Sequence, residues 1–334
     1  NTWETYNTEN GLGTNSISSI NIDGNKVWFG GDGLSVLDKQ TNNWTYFSTA
    51  DGLAGSSISK IKSSANCVWV VYSNYQGIGQ YDKSSNVWKN YSRAEGLVGN
   101  WGRDIEIDNN YVWIGTDEAL NRYQEAPESY WKTITRADGL IDNRVKTLAI
   151  DGNYIWFATQ NGVSIYDKIN NTWQPFTTEN GLLYNDIDKI VISGNQVWFN
   201  YSMKTGTSRY DKITKEWKHF IGTDDIGNKW ITSMVADDNE IWFGTYGYGV
   251  FCYNKLLDIF KNYTTVDGLI NMNVRTMAMN GDELWIGTSG GVSRCNKINN
   301  SWINYTASNS NLYDDFIMSI AIDGDDVFVG SEGG

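Results

Sequence analysis

Histidine is almost absent: the chain of 334 residues holds one, His219. That scarcity excludes His-rich metal sites and leaves a His-dependent catalytic triad a single candidate. Cysteine is nearly as rare, with Cys67, Cys252 and Cys295 alone. Their odd number and their spacing match no zinc or redox motif. Buried thiols acting as small apolar residues are expected, with a Cys252–Cys295 disulfide as the alternative. Proline occurs twice. Positive charge is in deficit, with 26 Lys and Arg against 39 Asp and Glu and a formal net charge of −13. An acidic surface repels phosphate backbones, which argues against a nucleic-acid partner. No run of 18 apolar residues occurs, so no membrane-spanning helix is expected. No signal peptide opens the chain, which begins Asn1-Thr2-Trp3, and a mature or trimmed fragment is the expectation. No nucleophile-elbow, P-loop or dinucleotide fingerprint appears.

Aromatic residues are plentiful. They make up 14% of the chain, with 16 Trp and 20 Tyr, beside 34 Gly. This mixture favours strands and tight turns over helices. The Trp residues are periodic. An apolar–Trp–apolar anchor recurs about every 43 residues, at Trp28, Trp69, Trp113, Trp156, Trp198, Trp242 and Trp285, with Phe328 in the eighth place. Turns such as Asp23-Gly24-Asn25 and Asp151-Gly152-Asn153 precede the anchors. Their residues tolerate the positive φ of a two-residue hairpin.

Each unit reads as four short strands. One copy is Val145–Ile150, Tyr154–Thr159, Gly162–Lys168 and Trp173–Phe176. Gly-Leu pairs such as Gly139-Leu140 lead to the next unit. Four strands per repeat of this length is the signature of a β-propeller blade. Apolar spacing of 3.6 residues, which a helical solenoid would need, is missing. Pro175 falls in the outermost strand, where the lack of an amide donor is tolerated.

First strands and Trp anchors each occur eight times, and third strands seven times. A fourth-strand copy, Trp3-Glu4-Thr5-Tyr6, opens the chain. The expectation is therefore an all-β protein: a single β-propeller domain over residues 1–334, with about eight four-stranded blades. The N-terminal strand would complete the last blade, shared between 316–334 and 1–6, and close the ring so that no sheet edge is left open. A seven-bladed ring with a spare repeat, or an open segment of a longer array, is the alternative.

Leu284-Trp285-Ile286-Gly287-Thr288, Gly291-Val292-Ser293 and Asp138-Gly139-Leu140 together resemble the two-component regulator propeller repeat. The resemblance covers essentially the whole chain. It implies an extracytoplasmic sensor-type domain, periplasmic or secreted, that often recognises carbohydrate. The matching residues are structural ones, so the resemblance assigns no ligand residue.

Ligand candidates are sought where the inter-blade loops depart from the repeat. Ser73–Gly77 is longer than its copies, which singles out Tyr75. Asn100–Arg103 supplies Trp101 and Arg103, and Asn228–Trp230 supplies Trp230. Tyr246–Gly249 supplies Tyr246 and Tyr248. Arg144, Tyr184, Arg275 and Tyr313 come from the remaining loops and strand starts. Aromatic rings can stack on sugar C–H faces while neighbouring Asn, Asp and Arg bond hydroxyls. The arginines could attract an anion or bond neighbouring carbonyls. Trp101 and Trp230 could instead pack between blades.

An enzyme reading rests on Asp104, Asp186, Asp188, Asp224, Asp225, Asp314 and Asp315. Paired carboxylates can hydrolyse glycosides if held about 5–10 Å apart, but turn chemistry already explains most of these positions. No cofactor is expected, although the adjacent pairs Asp224-Asp225 and Asp314-Asp315 could bind calcium. Asn-x-Ser/Thr sequons such as Asn43-Trp44-Thr45 come from the repeat itself. The expected function is a non-enzymatic binding module for an oligosaccharide or other small polar ligand at the axial mouth. The alternatives are a protein-interaction platform and a polysaccharide-active enzyme with acidic residues at the ring entrance.

Overall fold

The structure is a computed structural model that describes residues 2–125, 128–202, 206–222 and 226–333. Its regular elements are antiparallel strands joined by tight turns and four short 3-10 turns. Among the described residues there are seven four-stranded sheets and one two-stranded sheet, with strands paired in simple sequential order. The repeat thus builds seven propeller blades, not the eight expected.

Residue chemistry explains each blade. In the copy at 145–176 the strands are Val145–Asp151, Tyr154–Thr159, Val163–Asp167 and Thr172–Phe176. Gly152 closes the first hairpin at φ +56°, and Asn109, Gly194, Gly281 and Gly324 take the same left-handed backbone in other copies. The second strand is buried on both faces, which requires its continuous apolar run. Trp156 pairs across to Ile165 of the third strand.

The Tyr-Asp-Lys end of the third strand does three jobs. Tyr166 packs on Trp173 at 4.8 Å. Asp167 Oδ1 accepts the amides of Ile169 and Asn170 at 2.9 and 3.1 Å, which forms the next turn. Lys168 Nζ reaches Asp108 of the preceding blade at 2.7 Å, and Lys212 reaches Asp151 at 2.6 Å.

The linkers are built as regularly. Thr135 and Asp138 form a reciprocal capping box, closed by Gly139 in the left-handed region. Leu140 after it is buried.

The described residues form two compact units, one of 1–51, 56–61 and 229–334, the other of 52–55 and 62–228. In the second unit, faces of successive blades share apolar clusters. Trp113, Leu120 and Ile134 of one blade meet Val145, Leu148 and Phe157 of the next. In the first unit, Trp242, Val250 and Tyr263 meet Val274, Leu284 and Ile286 in the same way.

The eighth repeat forms only a hairpin, Ile317–Asp323 with Asp326–Ser331. Residues 2–7 are not a strand, contrary to the expected closure. The physical reason lies in the sheet order. A fourth strand bonds to a third, and here no third strand stands beside Asp326–Ser331 among the described residues. Trp3 nevertheless takes its place in the packing, 5.0 Å from Tyr305 and 6.5 Å from Trp285.

Cys67, Cys252 and Cys295 are free and buried, so the Cys252–Cys295 disulfide is not formed. Burial pushes the Cys67 and Cys295 thiols up to about 11. Among the described residues no helix is long and apolar enough to cross a membrane.

Candidate functional site

Two clusters of the sequence-selected residues form, one within each unit. In the first unit, Trp230 is 71% exposed and does not pack between blades. Its ring lies 5.6 Å from that of Tyr246. The main chain fixes this pair: the Tyr246 amide donates to the Trp230 carbonyl at 2.9 Å. The amides of Gly247 and Gly249 both donate to the Met272 carbonyl at 3.1 Å. Tyr248 lies in the same loop, with Lys229 Nζ 4.4 Å from its ring centroid. Tyr246 and Tyr248 are about half exposed. The result is a short run of exposed rings on a hydrogen-bonded loop, with one cation beside it. Lys229 was missed as a site residue, although it directly precedes Trp230.

In the second unit, Tyr75 leans on Trp101 with ring centroids 4.8 Å apart. The Arg103 guanidinium stacks 4.2 Å from the centroid of the Trp101 ring. Tyr75 is exposed and takes φ +56°, a left-handed backbone uncommon for a large side chain. Arg144 Nη1 donates to Gln160 Oε1 at 3.3 Å. Buried donors Nε and Nη2 of Arg103, and Nε of Arg144, meet no acceptor, and Asp117 Oδ1 meets no donor. Burial holds the Arg103 guanidinium below its ordinary value, and the nearby positive charge of Arg144 adds to this. Asp117 and Tyr75 work in the opposite direction. Two like charges with unmet donors favour an anionic group between or beside them. Asp117 was not singled out; its only signal was a charged residue in the loop between second and third strands.

Three candidates lie elsewhere. Tyr184 packs edge-on to Tyr201 at 5.3 Å, within the apolar cluster of its own blades. Arg275 stacks on Phe316 at 4.0 Å and donates to Met318 Sδ at 3.3 Å. Tyr313 borders the groove beside the two-stranded sheet.

Polar loop residues are largely used by the fold. Asn100, Asn143 and Asn185 each accept a backbone amide from seven residues earlier, at 2.8–3.0 Å. Asp104 is buried and accepts from Thr147 Oγ1 at 2.7 Å and the Leu148 amide at 3.0 Å. Asp186 pairs with Lys146, and Asp188 lies 3.9 Å from Lys189. Asp314 and Asp315 accept the amides of Phe316 and Ala307 at 2.6 and 2.8 Å. Asp224 and Asp225 lie outside the described residues. Among the described residues no three His, Cys, Asp or Glu side chains come together as a metal-binding group.

His219 sits exposed on its outer strand, with Nδ1 2.7 Å from Ser208 Oγ. This Ser–His contact is a repeat feature: Ser293 Oγ meets Asn304 Oδ1 at 2.7 Å in another blade. Ser208 is fully buried and also receives the Tyr201 hydroxyl at 2.6 Å.

No protein-family model matches the chain, and no curated protein matches it. Solved structures do. A computationally designed protein, Ika8, superposes with a TM-score of 0.69 at 12% identity, over 96% of this chain and 94% of that one. The extracellular domain of a hybrid two-component system from B. thetaiotaomicron gives 0.63 at 13% identity. That match covers 95% of this chain but 44% of the other, so this chain spans less than half its length. Virginiamycin B lyase from Staphylococcus aureus gives 0.57 at 14% identity, over 82% and 92%. A designed protein, an extracellular domain and a lyase share this architecture, so the likeness shows the propeller fold alone.

Proposed function

We infer that this chain is a non-enzymatic binding module of the sensor type, acting outside the cytoplasm on an oligosaccharide or other small polar ligand. The observation that carries the reading is the exposed Trp230–Tyr246–Tyr248 platform on a main-chain-bonded loop. Large rings left in water on a fixed support suit a ligand with alternating apolar faces and hydroxyls. In the other unit, the unmet donors of Arg103 and Arg144 beside Trp101 and Tyr75 form a separate candidate site, which suits an acidic group such as a uronate carboxylate or a sulfate. The extracellular domain from B. thetaiotaomicron that shares the fold supports the extracytoplasmic placement. Against the enzyme alternative, among the described residues every Asp or Glu whose pKa is displaced has it lowered, as expected of carboxylates held by hydrogen bonds rather than of a general acid.

A second reading, a protein-interaction platform, is supported by exposed aliphatic residues at one repeated hairpin position. These are Ile169 and Ile213 in one unit, and Leu256 and Ile298 in the other. They stand singly, so the aromatic platform is preferred.

The test is a thermal-shift and calorimetric screen with neutral and uronate- or sulfate-bearing oligosaccharides. A ligand at 100 times its Kd adds about 2.7 kcal/mol of stability. Trp230→Ala is expected to weaken a neutral sugar by about tenfold, roughly 1.4 kcal/mol. Arg103→Ala should remove the preference for acidic sugars. Absence of any shift across the library sinks the sugar reading and favours the protein partner.

A further inference from the structure

The second residue of a first strand can reach across to the following blade. Lys146, in Val145–Asp151, bonds the Asp186 carboxylate and, at 2.7 Å, the Ser202 hydroxyl of the blade that follows. Ser18 and Thr232 hold the same position and donate to the carbonyls of Ile58 and Val274 at 2.6 and 2.7 Å. Arg103 holds it in Gly102–Asp108, with a different outcome.

Strand pairing fixes what Arg103 faces. Gly102, Val145 and Ile187 pair with Thr116, Thr159 and Tyr201 at the ends of their second strands, so the three are equivalent. Asp186 precedes Ile187, whereas Arg144 precedes Val145. Gln160 follows Thr159 as Ser202 follows Tyr201. Where Lys146 meets a carboxylate and a hydroxyl, Arg103 therefore meets a second guanidinium and a carboxamide. That carboxamide already accepts from Arg144 Nη1 at 3.3 Å. Three buried donors are left without acceptors, Nε and Nη2 of Arg103 and Nε of Arg144. Each costs free energy to hold away from water, and the two like charges repel. Asp117, close enough to act on Arg103 electrically, has a buried Oδ1 that meets no donor.

We propose that this junction is a subsite for a sugar carboxylate. The ligand's carboxylate stands between Arg103 and Arg144, as the Asp186 carboxylate stands before Lys146 one blade on. A hydroxyl on a neighbouring carbon donates to Asp117, and the C–H face of the sugar lies on the Tyr75–Trp101 pair. The inference rests on the sugar reading above and deepens it by naming the unit bound here. An aspartate side chain fills the equivalent place in the next blade, which sets its size to a carboxylate; a sulfate ester carries one oxygen more. The unmet donors are covered, so entry requires Arg144 to turn its fork away from Gln160. The bond it gives up is long, and the planar fork then meets two carboxylate oxygens at once.

Calorimetry on the full chain with D-glucuronate, glucose, glucose 6-sulfate and acetate tests each part of the assignment. Glucuronate is expected to bind at least about tenfold tighter than the other three. Arg103→Lys keeps the charge but loses the fork, and should weaken glucuronate about tenfold. Arg144→Asp supplies from the chain the carboxylate that the repeat carries at Asp186. It should raise Tm without ligand by about 1–3 °C and abolish the response to glucuronate. A lowered Tm, or glucuronate binding retained in this variant, overturns the proposal. So does equal binding of glucose, of glucose 6-sulfate or of acetate, which would remove in turn the anion, the carboxylate and the sugar from the assignment. Neutral oligosaccharides that bind while glucuronate gains nothing over glucose remove this subsite and leave the broader sugar reading standing. Glucuronate bound through Arg103, with no neutral oligosaccharide bound, keeps the subsite and removes the platform at Trp230.

Discussion

Two glycines separate backbone strain from steric conflict. Gly181 has φ +125°, and a Cβ there would stand 2.1 Å from Trp217 Nε1. Gly152 has φ +56° in a hairpin turn, with nothing within 4 Å of the same added atom. Gly152→Ala should cost about 1–2 kcal/mol, the strain of the left-handed backbone alone. Gly181→Ala adds the displacement of a packed indole, typically about 1–3 kcal/mol further. Urea unfolding should rank them in that order, and equal losses would show that the Trp217 contact is slack. His219 gives a pH test. Although the residue as a whole is exposed, partial desolvation of the ring, whose Nδ1 faces the buried Ser208, holds its pKa below the ordinary value. The folded state therefore prefers the neutral ring. Its contribution is complete above the unfolded pKa and is lost as pH falls through that value toward the lower folded one. His219→Asn, which places here the residue found at Asn304, should flatten Tm between about pH 7 and 5. A wild-type Tm that rises over that interval by this residue's doing would reverse the sign.

At the scale of elements, second strands can be compared when covered and uncovered. Trp242 is buried and stacks on Tyr263 at 5.4 Å. Phe328 holds the same repeat position but is only partly buried. Trp242→Ala should cost about 3–5 kcal/mol, the usual price of a large core truncation. Phe328→Ala should cost under half of that, because part of its surface is already in water. A loss at Phe328 matching Trp242 would mean that the edge is better covered than its exposure indicates. The strands themselves were legible. Val145–Ile150 and Tyr154–Thr159 follow from apolar runs around a tight turn, and burial on both faces of a blade strand enforces such runs. Counting shows the shortfall, since third strands occur seven times, but Trp3-Glu4-Thr5-Tyr6 carries the fourth-strand pattern in full and leads to the expectation of eight blades. A fourth-strand pattern does not make a strand by itself, because it needs a third strand to bond. The candidate site was read in part. Trp230, Tyr246 and Tyr248 departed from the repeat and gather on one loop system. Asn100, Asn143 and Asn185 looked equally promising, yet each bonds an amide of its own linker, a local role that recurs with the repeat.

For the whole molecule, repetition multiplies small electrostatic effects. Hydrogen bonds from backbone amides and polar side chains hold the pKa of the third-strand aspartates below its ordinary value: Asp38 by the Thr41 amide, Asp167 by the Asn170 side chain, Asp211 by the Thr214 amide. Asp82 is brought down to about 2, chiefly by the Ser84 hydroxyl. The linker acids Asp51 and Glu95 are lowered by Ser48 and Ser92. Each such group stabilises the fold fully above its unfolded pKa, near 4, and loses that contribution as pH falls through the folded value. The net charge of −13 works in the opposite direction, since partial protonation first relieves self-repulsion. Apart from the His219 loss, which the His219→Asn variant lacks, Tm should therefore be level or slightly rising from about pH 7 to 5, then fall steeply between about 4 and 2 as the turn carboxylates are protonated. Added salt should raise Tm at the neutral end by screening the excess charge, and should do much less for the acid-side fall, because short hydrogen bonds are screened little. Replacing Asp82 by Asn, which keeps an acceptor but cannot titrate, should soften the fall and leave the neutral plateau nearly unchanged. A Tm that declines evenly from pH 7 downward, or an acid fall that salt abolishes, would place the control of acid stability in net charge rather than in the repeated turns.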